Sequence, residues 1–316
     1  MAGKSLADLG IRRVAVIGGG TIGASWAAYF LARGLRVSAT DPAPGAEGFI
    51  RRFVAEAWPV LERLGAVVPG ADANALEFHG EPEAAAAGAD FVQENAPERE
   101  EVKIPLLRRI DAVLPPETVI ASSSSGLLMS RLQAECAHPE RCVIGHPFNP
   151  PHLIPLVEVV GGAKTGEAAI LRALDFYGAI GKRAIRIRRE VPGHVANRLQ
   201  AALWREAVAL AEAGVASVAD IDAAISEGPG LRWALMGPHL TFHLAGGTGG
   251  MEHFLDQFTG PMQAWWDTLG NPRLSPELRQ SLVDGVADEA GGRDIDALAA
   301  RRDQFLVDLL RLKGGV

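Results

Sequence analysis

The sequence predicts an α/β protein, a doubly wound parallel sheet followed by an all-helical C-terminal domain, and three observations carry that expectation. The first is a strand–glycine–helix passage at Arg12–Gly23, RRVAVIGGGTIG. The second is the alternation of short apolar runs with helix-period stretches up to residue 191. The third is a change of pattern at Pro192-Gly193, beyond which helical periodicity runs almost unbroken. With 316 residues the chain is long enough for two domains, drawn as 1–191 and 192–316, and 48% apolar content is enough for two cores.

Val14–Ile17 reads as a strand covered on both faces, and Ala24–Arg33 as the helix after it. Between them, Gly18 permits a tight turn and Gly20 lets a pyrophosphate approach the backbone. Gly23 lets helix and strand pack closely, while the helix start offers free N–H groups. The next strand, Leu35–Thr40, ends at Asp41, whose carboxylate is placed to accept from ribose hydroxyls, a preference for NAD over NADP. In that context the passage marks a Rossmann-type domain, with Gly18, Gly20, Thr21, Ile22, Gly23 and Asp41 as cofactor-binding residues.

Phe49–Leu64 reads as an amphipathic helix that Pro59 should kink or split. Ala75–His79 is a short strand and Asp90–Glu94 a buried one, ending where ligands sit in open sheets. The helix Glu98–Val113 stops before Pro115-Pro116, and Thr118–Ala121 feeds the run Ser122–Ser125. A helix through Cys136 leads to Arg141–His146, and the proline-rich HPFNPPHLIP at His146–Pro155 excludes regular structure. Leu156–Val160, Glu167–Ile180 and Arg183–Ile187 read as strand, helix and closing strand, a hairpin-like end with room for an antiparallel pair. The second domain carries helical periodicity at Val195–Ala213, Val218–Ser226, Trp233–Leu244, Met251–Thr268, Pro276–Glu289 and Ile295–Lys313.

Composition excludes several classes. A net charge of −7 gives no case for nucleic acid, and five lysines (Lys4, Lys103, Lys164, Lys182, Lys313) build no basic membrane patch. Cys136 and Cys142 are the only cysteines and ask for no oxidising compartment. The start MAGKSLADLG has no apolar core for a signal peptide, so the cytoplasm is the expected location, and no metal is expected.

Three residues suit proton chemistry. His146 ends a predicted strand, Ser125 follows an earlier one, and Glu158 lies twelve residues beyond His146 across the proline-rich turn. An imidazole titrates near about 6.5, suited to proton exchange with an alcohol or carbonyl, and a carboxylate on its other nitrogen fixes the tautomer. Each residue alone also reads as structural: a turn histidine, a strand-edge carboxylate, a hydrogen-bonding serine turn, with Asn149 equally open. Together, IGGGTIG, ASSSSGL, GHPFNPPHLIPLVEVV and VPGHVANRL resemble the 3-hydroxyacyl-CoA dehydrogenase family, in order and over essentially the full length. The resemblance implies His146 as acid/base, Glu158 as its partner, and Ser125 and Asn197 at the reacting oxygen. It also implies that Ser125, Glu94, Arg99 and Asn149 lie near the nicotinamide end of NAD, Arg99 standing where the family commonly has lysine, and that the chain is a homodimer.

Within that family, Gly228–His243, Leu244–Phe258 and Trp265-Trp266 resemble members acting on L-carnitine; those acting on L-gulonate share an Arg-aromatic-x-x-x-Gly-Pro segment. A trimethylammonium group is met by aromatic faces and a carboxylate, and a substrate carboxylate by a guanidinium. Trp233, Phe242, Phe254, Phe258, Trp265 and Trp266 are candidates for the first task and Arg198 and Arg232 for the second, although aromatics at helical spacing also build cores. An acyl-CoA would profit from basic groups in Pro42–Asn74, which holds Arg51, Arg52 and Arg63 but no lysine. A non-catalytic NAD-binding protein would not need Ser125, His146, Glu158 and Asn197 together.

Overall fold

The computed structural model describes residues 4–314. These divide into two compact units, 4–197 with 303–314, and 198–302. In the first, the described residues form one sheet from β1 (Arg13–Ile17), β2 (Arg36–Thr40), β3 (Leu76–His79), β4 (Phe91–Glu94), β5 (Val119–Ser122), β6 (Cys142–Pro147), β7 (Leu156–Gly161) and β8 (Arg183–Arg186). Their order is β3-β2-β1-β4-β5-β6-β7-β8, parallel throughout except for the antiparallel pair β6 and β7. The order reverses between β1 and β4, and the crevice beyond their C-terminal ends is where such sheets take ligands.

Alternation within the strands feeds two cores. Val14, Val16, Val37, Phe91 and Val143 face one side, Ala15, Ile17, Val92, Ile120 and Ile144 the other. On the first side the helix Thr21–Ala32 is buried from Gly23 to its end, which its small and aromatic residues allow. Trp26 stacks on Phe30 at 5.0 Å between centroids, and Phe91 on Phe176 of the helix Glu167–Ala179 at 4.0 Å. These rings bring roughly 150–250 Å² of buried surface each, which fixes the helix against the sheet.

The helix Ala46–Leu64 runs on through Pro59, so of the expected kink or split the split does not occur. Pro59 lies on its exposed face, where water can take the freed carbonyl, while Ile50, Val54, Ala57 and Leu61 anchor the other. After the serine run the helix is short, Met129–Leu132, and tightens to a 3-10 turn at Gln133–Glu135.

The second unit holds most of the helix Ala196–Glu212, then Val218–Ser226, Pro229–Trp233, Pro238–Ala245, Gly250–Thr268 and Pro276–Ala290. The single helix expected at Trp233–Leu244 is two, because Gly237 caps and Pro238 opens the second. The last helix, Ile295–Leu312, begins in this unit and ends in the first, where Val307 and Leu310 join the core and Arg63 donates to Gln304 at 2.7 Å. Periodicity gave that helix an apolar face without saying what it packs against. Among the described residues no helix is long and apolar enough to cross a membrane.

Candidate active site

The loop after β1 is shaped by what its glycines leave room for. Gly18 has φ 95°, and a Cβ there would lie 2.7 Å from the Asn95 backbone; at Gly23 it would lie 1.8 Å from the Gly18 carbonyl oxygen. At Gly20 a Cβ would meet nothing within 4 Å, so that side of the loop is open. Thr21 starts the helix with no side-chain cap on its first-turn N–H groups, and the half-buried Ile22 follows. These N–H groups are therefore available to an anion. Asp41 accepts from the Gly19 N–H at 2.7 Å and from the Ala43 N–H at 2.8 Å, which holds its carboxylate at the loop.

Beside it lies a cavity of about 520 Å³ lined by Gly18, Asp41, Pro42, Ala96, Pro97 and Arg109, among others. Its size suits the adenosine half of a dinucleotide. Arg109, the guanidinium in its wall, is held by Glu81 at 2.8 Å and by Glu83 at 2.5 Å. A 2′-phosphate would meet those carboxylates, so the residues fit NAD.

The antiparallel register places His146 directly opposite Glu158. His146 Nδ1 lies 2.9 Å from Glu158 Oε2, and the other carboxylate oxygen accepts the N–H groups of Val195 and Ala196, each at 3.0 Å. Burial pushes the Glu158 carboxyl up, but the bonds from His146, Ala196 and Val195 outweigh it and hold it below the usual range. An ionised Glu158 can only accept, so Nδ1 of His146 carries the hydrogen and Nε2 presents a lone pair. His146 is 5% exposed, with the Phe148 ring edge-on at 5.4 Å.

The loop after β5 is tied from two sides. Glu98 Oε1 accepts from the Ser124 hydroxyl at 2.7 Å and from the N–H groups of Ser125 at 2.9 Å and Gly126 at 2.8 Å. Burial raises the Glu98 carboxyl, and these bonds together with the Lys103 charge bring it below its ordinary value. Asn197 Nδ2 donates to the Ser125 carbonyl at 3.1 Å, so the two residues expected at the reacting oxygen are joined. Ser125 is exposed and Asn197 half-buried, and Asn149 is exposed after β6.

Two expected cofactor residues are paired with protein groups. Glu94 is fully buried, its carboxylate taken up by Lys103 at 2.8 Å, the Ala96 N–H at 2.6 Å and the Ser122 hydroxyl. Arg99 has a 63% exposed side chain that pairs with Glu101 at 3.4 Å. The cation at Glu94 is thus Lys103, and the carboxylate at the serine loop is Glu98. Neither was singled out in the sequence, where both fall within the helix expected at Glu98–Val113. His194, whose ring lies 5.2 Å from that of His146, was likewise missed; its one signal is a titratable residue inside VPGHVANRL.

The substrate candidates belong to the second unit. Arg198, Arg232 and Trp233 are exposed, the last two at the end of Pro229–Trp233. Phe254 is 7% exposed and stacked between Phe242 at 4.7 Å and Phe258 at 5.0 Å, so it is core to this unit more than an open ring face. A groove of about 420 Å³ is lined by Phe242, Met251, Phe254, Phe258, Met262 and Trp266, with no carboxylate in its wall. Among the described residues no group of three or more His, Cys, Asp or Glu side chains is placed to hold a metal.

Residues 13–191 match the 3-hydroxyacyl-CoA dehydrogenase, NAD binding domain family, and residues 193–287 the corresponding C-terminal domain. The chain is 54% identical to an L-carnitine dehydrogenase of Streptomyces griseus over 304 residues, 96% of this chain and 90% of that one. It is 48% identical to an L-carnitine dehydrogenase of Pseudomonas putida over 300 residues, covering 95% and 93%. Among solved structures it is similar to 5-formyl-3-hydroxy-2-methylpyridine 4-carboxylic acid 5-dehydrogenase, an NAD+ dependent dismutase. That match has a TM-score of 0.83 at 33% identity over 96% and 98% of the two chains. It is also similar to 3-hydroxybutyryl-CoA dehydrogenase of Escherichia coli, with a TM-score of 0.65 at 28% identity over 87% of this chain and 57% of that one. The cofactor is NAD, which the cradle after β1 fits. Consecutive matches on both sides of residue 192, with relatives near half identity along almost the whole length, leave one assignment: the chain belongs to the 3-hydroxyacyl-CoA dehydrogenase family.

Proposed function

We propose that this chain oxidises the 3-hydroxyl of L-carnitine to 3-dehydrocarnitine, with His146 as general base and, in reverse, as general acid. The observation that carries the reading is the buried His146–Glu158 pair, in a chain whose relatives are L-carnitine dehydrogenases. Bound NAD supplies the hydride acceptor. His146 Nε2 takes the hydroxyl proton as the carbinol hydrogen leaves, and Glu158 stabilises the imidazolium that results. Ser125 and Asn197 donate to the oxygen as it gains carbonyl character, and the first-turn N–H groups after Gly20 hold the pyrophosphate. Arg232 or Arg198 would meet the substrate carboxylate, and the aromatics of the second unit, Trp233 foremost among those exposed, its trimethylammonium. The enzyme works as a homodimer in the cytoplasm.

The test is NAD+ reduction with L-carnitine, 3-hydroxybutyryl-CoA, L-gulonate or no substrate. Turnover with L-carnitine alone is expected, faster at alkaline pH because oxidation releases a proton, with ketone reduction favoured near neutrality. Reaction with the acyl-CoA or gulonate instead would replace the substrate and leave the acid–base chemistry standing. Silence with all three would return the chain to a non-catalytic NAD-binding role.

A further inference from the structure

The turn that closes the first unit carries a buried imidazole for which the reaction above has no use. His194 is 1% exposed and has φ 49°, a left-handed conformation that, among the described residues, no other non-glycine residue adopts. Its Nε2 lies 3.0 Å from the Ser124 carbonyl oxygen. A carbonyl only accepts, so Nε2 carries the hydrogen and Nδ1 is a bare lone pair. That Nδ1 is buried and has no partner among the described residues. The ring sits 5.2 Å from His146, the planes 47° apart.

Its neighbours divide between the two halves of the site. Val195 and Ala196 give their N–H groups to Glu158, and Asn197 reaches the Ser125 carbonyl. His194 therefore occupies the point where the turn holding the partner of His146 meets the loop holding Ser125. A residue needed only to fill that space would be apolar, since an imidazole leaves a buried nitrogen unsatisfied at a cost a hydrocarbon ring avoids.

We infer that His194 is a positioning residue for the acid–base step: it ties the serine loop to the Glu158 turn and sets a neutral, polar ring beside His146. The inference rests on His146 being the general base. The ionisable groups facing His194 are His146, Glu158 and Glu98. Burial lowers its pKa, His146 adds to the lowering, and the Ser124 bond with the two carboxylates works against it, the balance lying below the ordinary value of 6.5. Neutrality has a use here. His146 becomes a cation on taking the substrate proton, and a second cation beside it would oppose that transfer. A polar neighbour also costs the imidazolium less than a hydrocarbon one does.

The experiment compares His194→Phe and His194→Gln with the wild-type chain, using L-carnitine or the substrate that the four-way assay selects. Phenylalanine keeps the ring and loses the bond to Ser124. It should lower kcat about tenfold, the worth of one hydrogen bond to the barrier, with KM for NAD+ nearly unchanged. The acid limb of kcat/KM should move to lower pH, because an apolar neighbour disfavours protonated His146. Glutamine carries its amide out to where Nε2 stands and can still donate to Ser124, so it should recover most of kcat and bring the limb back. Wild-type kcat and an unmoved pH profile in His194→Phe would overturn the inference, as would variants that lose only thermal stability. Should neither variant fold, the 15N ring shifts of wild-type His194 decide: a neutral Nε2–H tautomer at neutral pH supports it, and a charged or Nδ1–H ring overturns it. His146→Gln separates the two readings, since turnover surviving there removes the general base whatever His194 does.

Discussion

Glu158 has two kinds of partner, an imidazole and a pair of backbone N–H groups, and its substitution should separate them. Glu158→Gln keeps an oxygen for the N–H groups of Val195 and Ala196 but removes the charge that favours protonated His146. Turnover should fall about a hundredfold, within the range usual for acid–base groups, with little change in NADH binding. Stability should respond as well. The folded Glu158 carboxyl lies below its ordinary value of 4.5, so its contribution is present above that pH and is lost as pH falls through the folded value. Glu98 acts in the same direction. Thermal midpoints measured from neutral to acid pH should therefore fall steeply below 4.5 in the wild type and less steeply in Glu158→Gln. His146→Gln should abolish most turnover and leave NADH binding near wild type, as fluorescence titration would show; a joint loss would move His146 out of the acid–base role. His146 and Glu158 were legible because their separation across a proline-rich turn suits a pair on adjacent strands. Glu98, Lys103 and His194 were not, because a sequence displays a charge without displaying its burial. Lys103 is 1% exposed, in a helix that also buries the apolar pair Leu107 and Ile110.

At the scale of the element, the glycine loop makes two substitutions of equal size behave differently. A Cβ at Gly23 would lie 1.8 Å from the Gly18 carbonyl oxygen, which forces the helix Thr21–Ala32 away from β1. Gly23→Ala should therefore cost about 1–3 kcal/mol of stability, as overpacking does, and weaken NAD binding with it. A Cβ at Gly20 meets no protein atom, only the space a pyrophosphate needs. Gly20→Ala should leave the thermal midpoint of the cofactor-free chain near wild type and raise KM for NAD+ severalfold. Denaturation and steady-state kinetics on both variants check the contrast, and equal destabilisation by the two would contradict it. The turn at Gly18 and the close packing at Gly23 were legible, because each constrains a single position; the pyrophosphate at Gly20 belongs to the proposal. Prolines were harder to read. Pro59 stays within its helix on an exposed face, whereas Pro238 opens a new one after Gly237. The same residue type permits either outcome, and packing decides between them.

At the scale of the molecule, the doubly wound sheet was readable from strand–helix alternation, but the antiparallel pair was not: it joins β6 to β7 across the proline-rich loop, whereas the expected pair, β7 with β8, runs parallel. The return of residues 303–314 to the first unit was not, since an apolar helix face does not name its partner. The same limit bears on assembly. Within 198–302 the buried apolar side chains are Val208, Ile221, Phe254 and Leu278, while Trp204, Trp265 and Trp266 are 56%, 58% and 65% exposed. A helical unit with so small an interior, and with aromatics at its surface, would gain stability from cover by another chain. A second copy is the cover the proposed homodimer supplies, through a self-complementary face. Sedimentation at micromolar concentration should give a two-chain mass. Trp266→Asp puts a charge beside the groove of Phe242, Phe254 and Phe258 and should shift that mass towards one chain while lowering the thermal midpoint. If the wild type sediments as one chain with its helical content intact, those tryptophans need no protein cover, and their exposed faces become the first place to look for the substrate's quaternary ammonium.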